Sequence, residues 1–421
     1  VDTIVVLAKK THEGRTTVST GILYHGLGIR GYKYVKTTYR SGAIYFRMRP
    51  NPGTICCPDC KSRYIVKKGC RERVFRTVPI GSKPVYLELA VQIIQCLVCG
   101  ARKQVKLGFA EPKKTYTRAF ERFVIELSKC MTITDISRFL GVCWDTVKDI
   151  LKIYLRKKFS KPALKHLKWI AIDEVNVGGR GRFLTIVLDL KSGAVVFVAK
   201  GKNSKALKPF WKKLKRSRAR VTAVAMDMSS AFISSVRKYL PKAEIVFDHF
   251  HVIKLMNAKI TELRRSLYNK LKNEEQRKVL KGCRWILLKN PENLDESKNE
   301  KSKLDMALKL NEPLAKAYYM ADLLKQVWAQ KSRKEAMTML RQWMFTALNS
   351  DIKPLQKMGE TVINHFQGIL AYHNHPISTG PLEAVNNNIG ALQRQAYGYR
   401  DEEFFMLKIY ALHTMRYAFV G

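Results

Sequence analysis

From Trp169 onward the chain changes hydrophobic rhythm in an order that few folds accept. "WIAIDEV", "RFLTIVLDL" and "AVVFVAKG" are apolar runs of strand length, separated by the turn-formers "GGRGR" and "KSG". "SKALKPFWKKLKR" then repeats its apolar residues at helical spacing, "VTAVAMDMS" returns to a strand, "SAFISSVRKYL" reads as a helix and "AEIVFDHFHV" as a fifth strand. Two of these runs end in a carboxylate, Asp173 closing "WIAID" and Asp227 closing "AVAMD". An acid in such a position is costly to bury unless a cation or strong hydrogen-bond donors hold it.

Three strands joined by tight turns, followed by helix, strand, helix and strand, are the order of an RNase H-like sheet. A doubly wound sheet would need a helix between every pair of early strands. In the RNase H-like order the first and fourth strands are neighbours, so Asp173 and Asp227 converge. Glu383 falls in the first turn of a helix after Gly380-Pro381 and reaches the same place when that helix lies against the sheet edge. Three carboxylates with open positions are hard oxygen ligands suited to Mg²⁺ or Mn²⁺. Two such ions activate a water or a 3′-hydroxyl on one side of a phosphodiester and stabilise the leaving oxygen on the other, with no nucleophilic side chain. Each acid also has a plainer reading, as a strand-end residue closing a turn or as an acid favoured by a helix N-terminus. Asp248, between "IVF" and "HFH", competes with Asp227 for the second position. Asp227 is preferred because the fourth strand borders the first; Asp248 is expected close by, supporting the acids or touching DNA. Glu174 should face away from Asp173, because side chains alternate along a strand.

The chain carries 77 Lys and Arg against 34 Asp and Glu, a formal net charge of +43 over 421 residues. Such a field repels itself unless a polyanion shares it, which points to an extended nucleic-acid partner. The residues before 169 are the more basic per residue and are the expected primary DNA reader. Among nine cysteines, Cys57-x-x-Cys60 and Cys96-x-x-Cys99 form two pairs around a strand-turn-strand pattern, "RERVFRTVPIGSKPVYLELAVQIIQ". Two such knuckles make a zinc ribbon, with four thiolates closing the tetrahedral shell of one structural Zn²⁺. Cys56, Cys70, Cys130, Cys143 and Cys283 lack that pairing and read as plain thiols. The apolar part of "VDTIVVLAKK" is too short for a signal-peptide core, and no window approaches a membrane helix. The expected setting is a reducing cytoplasm, on the nucleoid, with no membrane partner.

"MTITDISRFLGVCWDTVKDILKIYLRKKF" reads as a helix-turn-helix. Thr134 caps a first helix carrying Ile136, Phe139 and Leu140, Gly141 supplies the turn, and a second helix opens at Trp144 or Asp145. Arg138, Trp144 and Lys148 are the candidate DNA contacts, since the second helix of such a motif enters a major groove. The organisation expected is therefore a multidomain α/β chain. Residues 1–41 have no assignable role, 42–110 form the zinc ribbon and 111–160 the helix-turn-helix. Residues 165–253 form the first part of the RNase H-like core, 254–370 a helical insertion interrupted near "NPENLDESKNEKSK", and 371–421 the closing helices with Glu383.

Taken together, these motifs resemble the DDE-type insertion-sequence transposases of the ISL-three family. The resemblance rests on the CPxC…CxxC ribbon at 57–99, the helix-turn-helix at about 132–153, "IDE" at 172–174, "MDMSSAF" at 226–232, "FDHFHVIKLMN" at 247–257 and "TGPLEAVNNNIGALQRQAYGYR" at 379–400. It implies an enzyme that binds the terminal inverted repeats of its element, cuts at the ends and joins 3′-hydroxyls to target DNA; the need to hold two ends together makes a homodimer the expected working unit. It implies Asp173, Asp227 and Glu383 as the catalytic acids and Cys57, Cys60, Cys96 and Cys99 as zinc ligands. The sequence departs from similar ones before Glu383, where "STG" replaces the usual Asn-Gly. Two other classes stay open at this point: a catalytically silent DNA-binding regulator and an RNase H-like nuclease without joining activity.

Overall fold

A computed structural model of the chain describes residues 9–10, 16–17 and 21–414, apart from 52, 180 and 397. Two compact units divide between Lys157 and Lys158.

In the first unit, β1 (Tyr32–Arg40), β2 (Ala43–Pro50), β3 (Ile65–Ile80), β4 (Lys83–Cys96) and β5 (Arg102–Gln104) form one sheet in the order β1-β2-β4-β3, with β5 also pairing to β4. β4 alternates strictly: Val85, Leu87, Leu89 and Val91 are buried while Tyr86, Glu88 and Ala90 face the other side. Phe75 and Phe46 complete that face, and Leu23, Leu27 and Ile29 cover it from the N-terminal side. Residues 21–40, to which the sequence assigns no role, thus supply core and an edge strand. The hairpin strands are longer than the pattern predicts, because a register shift between Lys67 and Cys70 lets β3 continue past Gly69. Three helices follow: α1 (Arg118–Leu127), α2 (Ile133–Leu140) and α3 (Trp144–Phe159).

The second unit is built on a five-stranded sheet of β6 (Trp169–Asn176), β7 (Phe183–Asp189), β8 (Val195–Lys200), β9 (Ala223–Met226) and β10 (Glu244–Phe247). Its order is β8-β7-β6-β9-β10, antiparallel among the first three and parallel from β6 to β9 to β10. This is the RNase H-like arrangement. Alternation sends Ile170, Ile172, Val224, Met226 and Phe247 to one face, against α4 (Ser204–Ser217) and α5 (Ser230–Tyr239). Ala171, Ala223, Ala225 and Val246 go to the other face, against α12 (Gly380–Gln395) and α13 (Glu402–Tyr410). Between these lie α6 (His249–Lys270), α7 (Glu274–Gly282), α8 (Glu300–Leu310), α9 (Glu312–Ala329), α10 (Arg333–Leu348) and α11 (Lys353–Leu370), the helical insertion.

In the second unit two sequence expectations change. The fifth strand stops at Phe247 instead of running through His251, because the Asp248 carboxylate accepts from the Phe250 amide and caps a helix that begins at His249. The charged stretch 290–303 is not one loop: it makes two short 3₁₀ turns, Pro291–Asn293 and Glu296–Lys298, before α8 opens at Glu300.

Candidate active site and nucleic-acid interface

Register fixes the geometry of the acids. Met226 pairs with Ile172 on one side and with Phe247 on the other, so Asp173, inside β6, and Asp227 and Asp248, just past the ends of β9 and β10, form one row across three neighbouring strands. Since Ile172, Met226 and Phe247 face the α4–α5 side, alternation turns the three aspartates toward the face that α12 covers.

The three differ in what holds them. Asp173 accepts from the Glu174 amide at 2.8 Å and from the Asn386 side-chain amide at 2.8 Å. Burial pushes its carboxyl up from the ordinary value, the two donors oppose that shift, and the charge of Asp227 adds to it. Asp227 accepts from the Ser229 amide at 3.1 Å. Asp248 is 5% exposed and fully engaged. Its Oδ1 accepts from the Phe250 amide at 3.2 Å and lies 3.4 Å from His249 Nδ1. Its Oδ2 accepts from the Thr379 hydroxyl and lies 3.6 Å from His251 Nδ1. Burial alone would raise Asp248, but His251, Thr379 and the Phe250 amide hold it below the usual carboxylate range. His251 is raised in turn, first by Asp248 and then by the charges of Asp173 and Asp227. Glu174 is also raised, by burial and then by Asp227 and Asp173.

Glu383 sits in the first turn of α12, exposed, three residues before Asn386 and therefore on the same helical face as the amide that binds Asp173. The three proposed acids are not drawn into a tight cluster; among the described residues that closeness is found at the cysteines.

The Sγ atoms of Cys57, Cys60, Cys96 and Cys99 all lie within 4.8 Å of one another, with Cys57 and Cys99 3.6 Å apart and Cys60 and Cys96 3.5 Å apart. Four sulfurs about 2.3 Å from one zinc ion stand about 3.8 Å apart, so the quartet fits the ion and is far too open for disulfides. The knuckles prepare the thiolates. Amides of Cys60 and Asp59 lower Cys57 against the effect of burial, and amides of Cys99 and Val98 bring Cys96 down to about 6. Cys60, despite the Ser62 amide, is pushed up to about 12 by its cysteine neighbours, Cys96 first.

Beyond the ribbon, Thr132 and Asp135 close a capping box at the start of α2, so the cap is Thr132 where the sequence pattern suggests Thr134. Gly141 takes φ 60° at its end, a conformation that favours glycine and turns the chain into α3. Trp144 opens α3 with 43% of its surface exposed, the Lys148 ammonium lies 5.4 Å from its ring centre, and Arg138 is exposed in the last turn of α2.

Comparison with known proteins agrees with this architecture in all three parts. Residues 53–99 match the zinc-finger of transposase IS204/IS1001/IS1096/IS1165. Residues 105–154 match the helix-turn-helix domain of transposase family ISL3, and residues 170–409, more than half of the chain, match the transposase domain of the same family. The chain belongs to this transposase family. Over 92% of its length it is 29% identical to the transposase for insertion sequence element IS1001 of Bordetella parapertussis, covering 95% of that protein. The transposase for IS1557 of Mycobacterium tuberculosis is 26% identical, over 86% of each chain. Likeness to solved structures is slight: a Drosophila P element transposase strand transfer complex has a TM-score of 0.32 at 15% identity, over 64% of this chain and 82% of that one.

The transposase is accordingly an enzyme of DNA cleavage and transfer, with a DNA-binding helix-turn-helix and a structural zinc ribbon. Among its described residues no helix is long and apolar enough to cross a membrane. Two contacts of the site escape sequence reasoning: Asn386 on Asp173 and Thr379 on Asp248. For Asn386 a signal was available, its spacing of three from Glu383 on one helix. Thr379 depends on a tertiary approach that no local pattern announces.

Proposed function

We infer that this transposase cuts the ends of its insertion sequence and joins the freed 3′-hydroxyls to target DNA, with Asp173, Asp227 and Glu383 as the acids that hold Mg²⁺ or Mn²⁺. The observation that carries the reading is the register row: Asp173 in β6 and Asp227 at the end of β9 lie side by side on adjacent parallel strands, on the face covered by the helix of Glu383, and that helix is bonded to Asp173 through Asn386. The residues fit a hard dication. Asp173 and Asp227 are neighbouring carboxylates whose charges oppose one another, Asp227 accepts from one amide, and a dication held between them would offset that repulsion. Bound there, a pair of such ions supplies the activation of a water or 3′-hydroxyl and the stabilisation of the leaving oxygen.

The chain's own residues do the rest. Asn386 and the Glu174 amide orient the Asp173 carboxylate, and the Ser229 amide orients Asp227. Asp248 has both oxygens engaged by protein groups, which supports Asp227 over it as the second acid. Arg138, Trp144 and Lys148 present a cationic and aromatic surface at the helix-turn-helix to the terminal repeat, and one zinc ion per chain holds the ribbon beside it. Holding two ends in one reaction calls for two copies, so the working unit is a homodimer on the chromosome.

The test uses a labelled duplex carrying the terminal repeat of the encoding element, with Mg²⁺. Cleavage followed by joined product is expected, with both lost in Asp173→Asn, Asp227→Asn and Glu383→Gln while end binding persists. Binding without cleavage in the unaltered protein would instead mark a regulator, and cleavage that never yields joined product a nuclease.

A further inference from the structure

The helix that carries Glu383 is fastened to the sheet on both sides of that residue. Four positions before it, the Thr379 hydroxyl donates to Asp248 at the end of β10; three positions after it, the Asn386 amide donates 2.8 Å to Asp173 in β6. Thr379 is 3% exposed, and its carbonyl accepts from the amides of Leu382 at 2.8 Å and Glu383 at 3.0 Å, so the first turn of α12 hangs from the residue that Asp248 grips. Asp248 is itself fixed, as the cap of α6 and as neighbour of two histidines. The rest of the helix is held by its buried face and by the Gln393 amide, which donates 2.6 Å to the Val177 carbonyl; the two fastenings on either side of Glu383 are the ones that set the first turn in which it stands.

We propose that Asp248 and Thr379 form a latch that positions the helix of the third acid, Asp248 acting through Thr379 and touching no metal. This rests on reading Glu383 as that acid. The carboxylate is suited to the task because its Oδ2 meets a hydroxyl and its Oδ1 a backbone amide, so one side chain ties the start of α6 to the start of α12. In this chain "STG" precedes Glu383, and the threonine of that triplet is the latch residue.

The experiment compares Thr379→Val, Thr379→Ser, Asp248→Asn and Glu383→Gln by Mn²⁺ titration of the DNA-free protein, cleavage of the end duplex, and thermal melting. Thr379→Val removes the hydroxyl with little change of shape; it is expected to weaken Mn²⁺ binding and slow cleavage by about 10- to 100-fold, with end binding unchanged. Thr379→Ser keeps the hydroxyl and is expected to restore both. Asp248→Asn retains an acceptor for the Phe250 amide and a donor for the Thr379 oxygen, so it is expected to lose less than Asp227→Asn. A Thr379→Val protein that melts like the unaltered chain and retains Mn²⁺ affinity and cleavage, while Glu383→Gln is inactive, overturns the latch and leaves the third acid intact. Full activity in Glu383→Gln overturns the reading beneath it. If Thr379→Val and Thr379→Ser lose activity equally, the hydroxyl is not what positions the helix and the latch is likewise overturned.

Discussion

A carboxylate buried beside another acid carries a charge that works against the fold until a cation arrives. Burial and Asp227 raise the Asp173 carboxyl, so the folded chain binds that proton more tightly than the unfolded chain does. Its contribution to stability is therefore lost as pH rises from the ordinary carboxylate value, about 3.9, through the raised folded value, and at neutral pH the charge is a cost. Asp173→Asn should melt at a higher temperature than the unaltered protein in a chelating buffer, and Mg²⁺ should stabilise the unaltered protein far more than the variant. A lower melting temperature for Asp173→Asn without metal would contradict this account of the site. Asp173 and Asp227 are legible in the sequence because each ends an apolar run, where an acid has no packing reason to be. Asp248 has the same signature, and local pattern cannot separate it from them: what distinguishes it is the set of donors that the folded chain brings to both its oxygens.

Among the elements, the ribbon and the helix-turn-helix are read from short-range rules, CxxC spacing and a glycine turn, and short-range rules survive folding. The fifth strand is misread at its end because an apolar alternation continues past the residue that caps the next helix. The approach of α11 to β10 is not legible at all. A Cβ on Gly368 would lie 2.4 Å from the Phe247 ring and 3.2 Å from the Ile245 carbonyl oxygen, so only hydrogen fits where the helix crosses the strand that leads into Asp248. Gly368→Ala should lower the stability of this unit by about 1–3 kcal/mol as measured by denaturant unfolding, because the ring or the backbone must move; an unchanged midpoint would contradict a crossing this close. At the ribbon, metal analysis should find about one zinc per chain, with loss in Cys96→Ser and release on acidification as protons compete for the thiolates. Retention of zinc by Cys96→Ser would remove that cysteine from the ligand set.

Over the whole molecule the order of parts was legible, since composition, cysteine spacing and strand order are additive along the chain. What was not legible was where the first sheet begins: Leu23, Leu27 and Ile29 lie in a stretch without strong periodicity and find their place only against the face of β4 and its neighbours. A net charge of +43 belongs to this scale too. If the duplex neutralises even part of it, as in complexes with 6–10 phosphate contacts, affinity for end DNA should fall by about 10³–10⁵ between about 50 and 200 mM salt as counterions are released. A flat salt profile would count against a phosphate-tracking surface. The central claim, metal-dependent strand transfer at Asp173, Asp227 and Glu383, is tested most directly by single-turnover cleavage and joining of the end duplex in Mg²⁺ with Asp227→Asn and Asp248→Asn side by side. The account predicts no product from Asp227→Asn and residual product from Asp248→Asn; full product from Asp227→Asn with none from Asp248→Asn would contradict it.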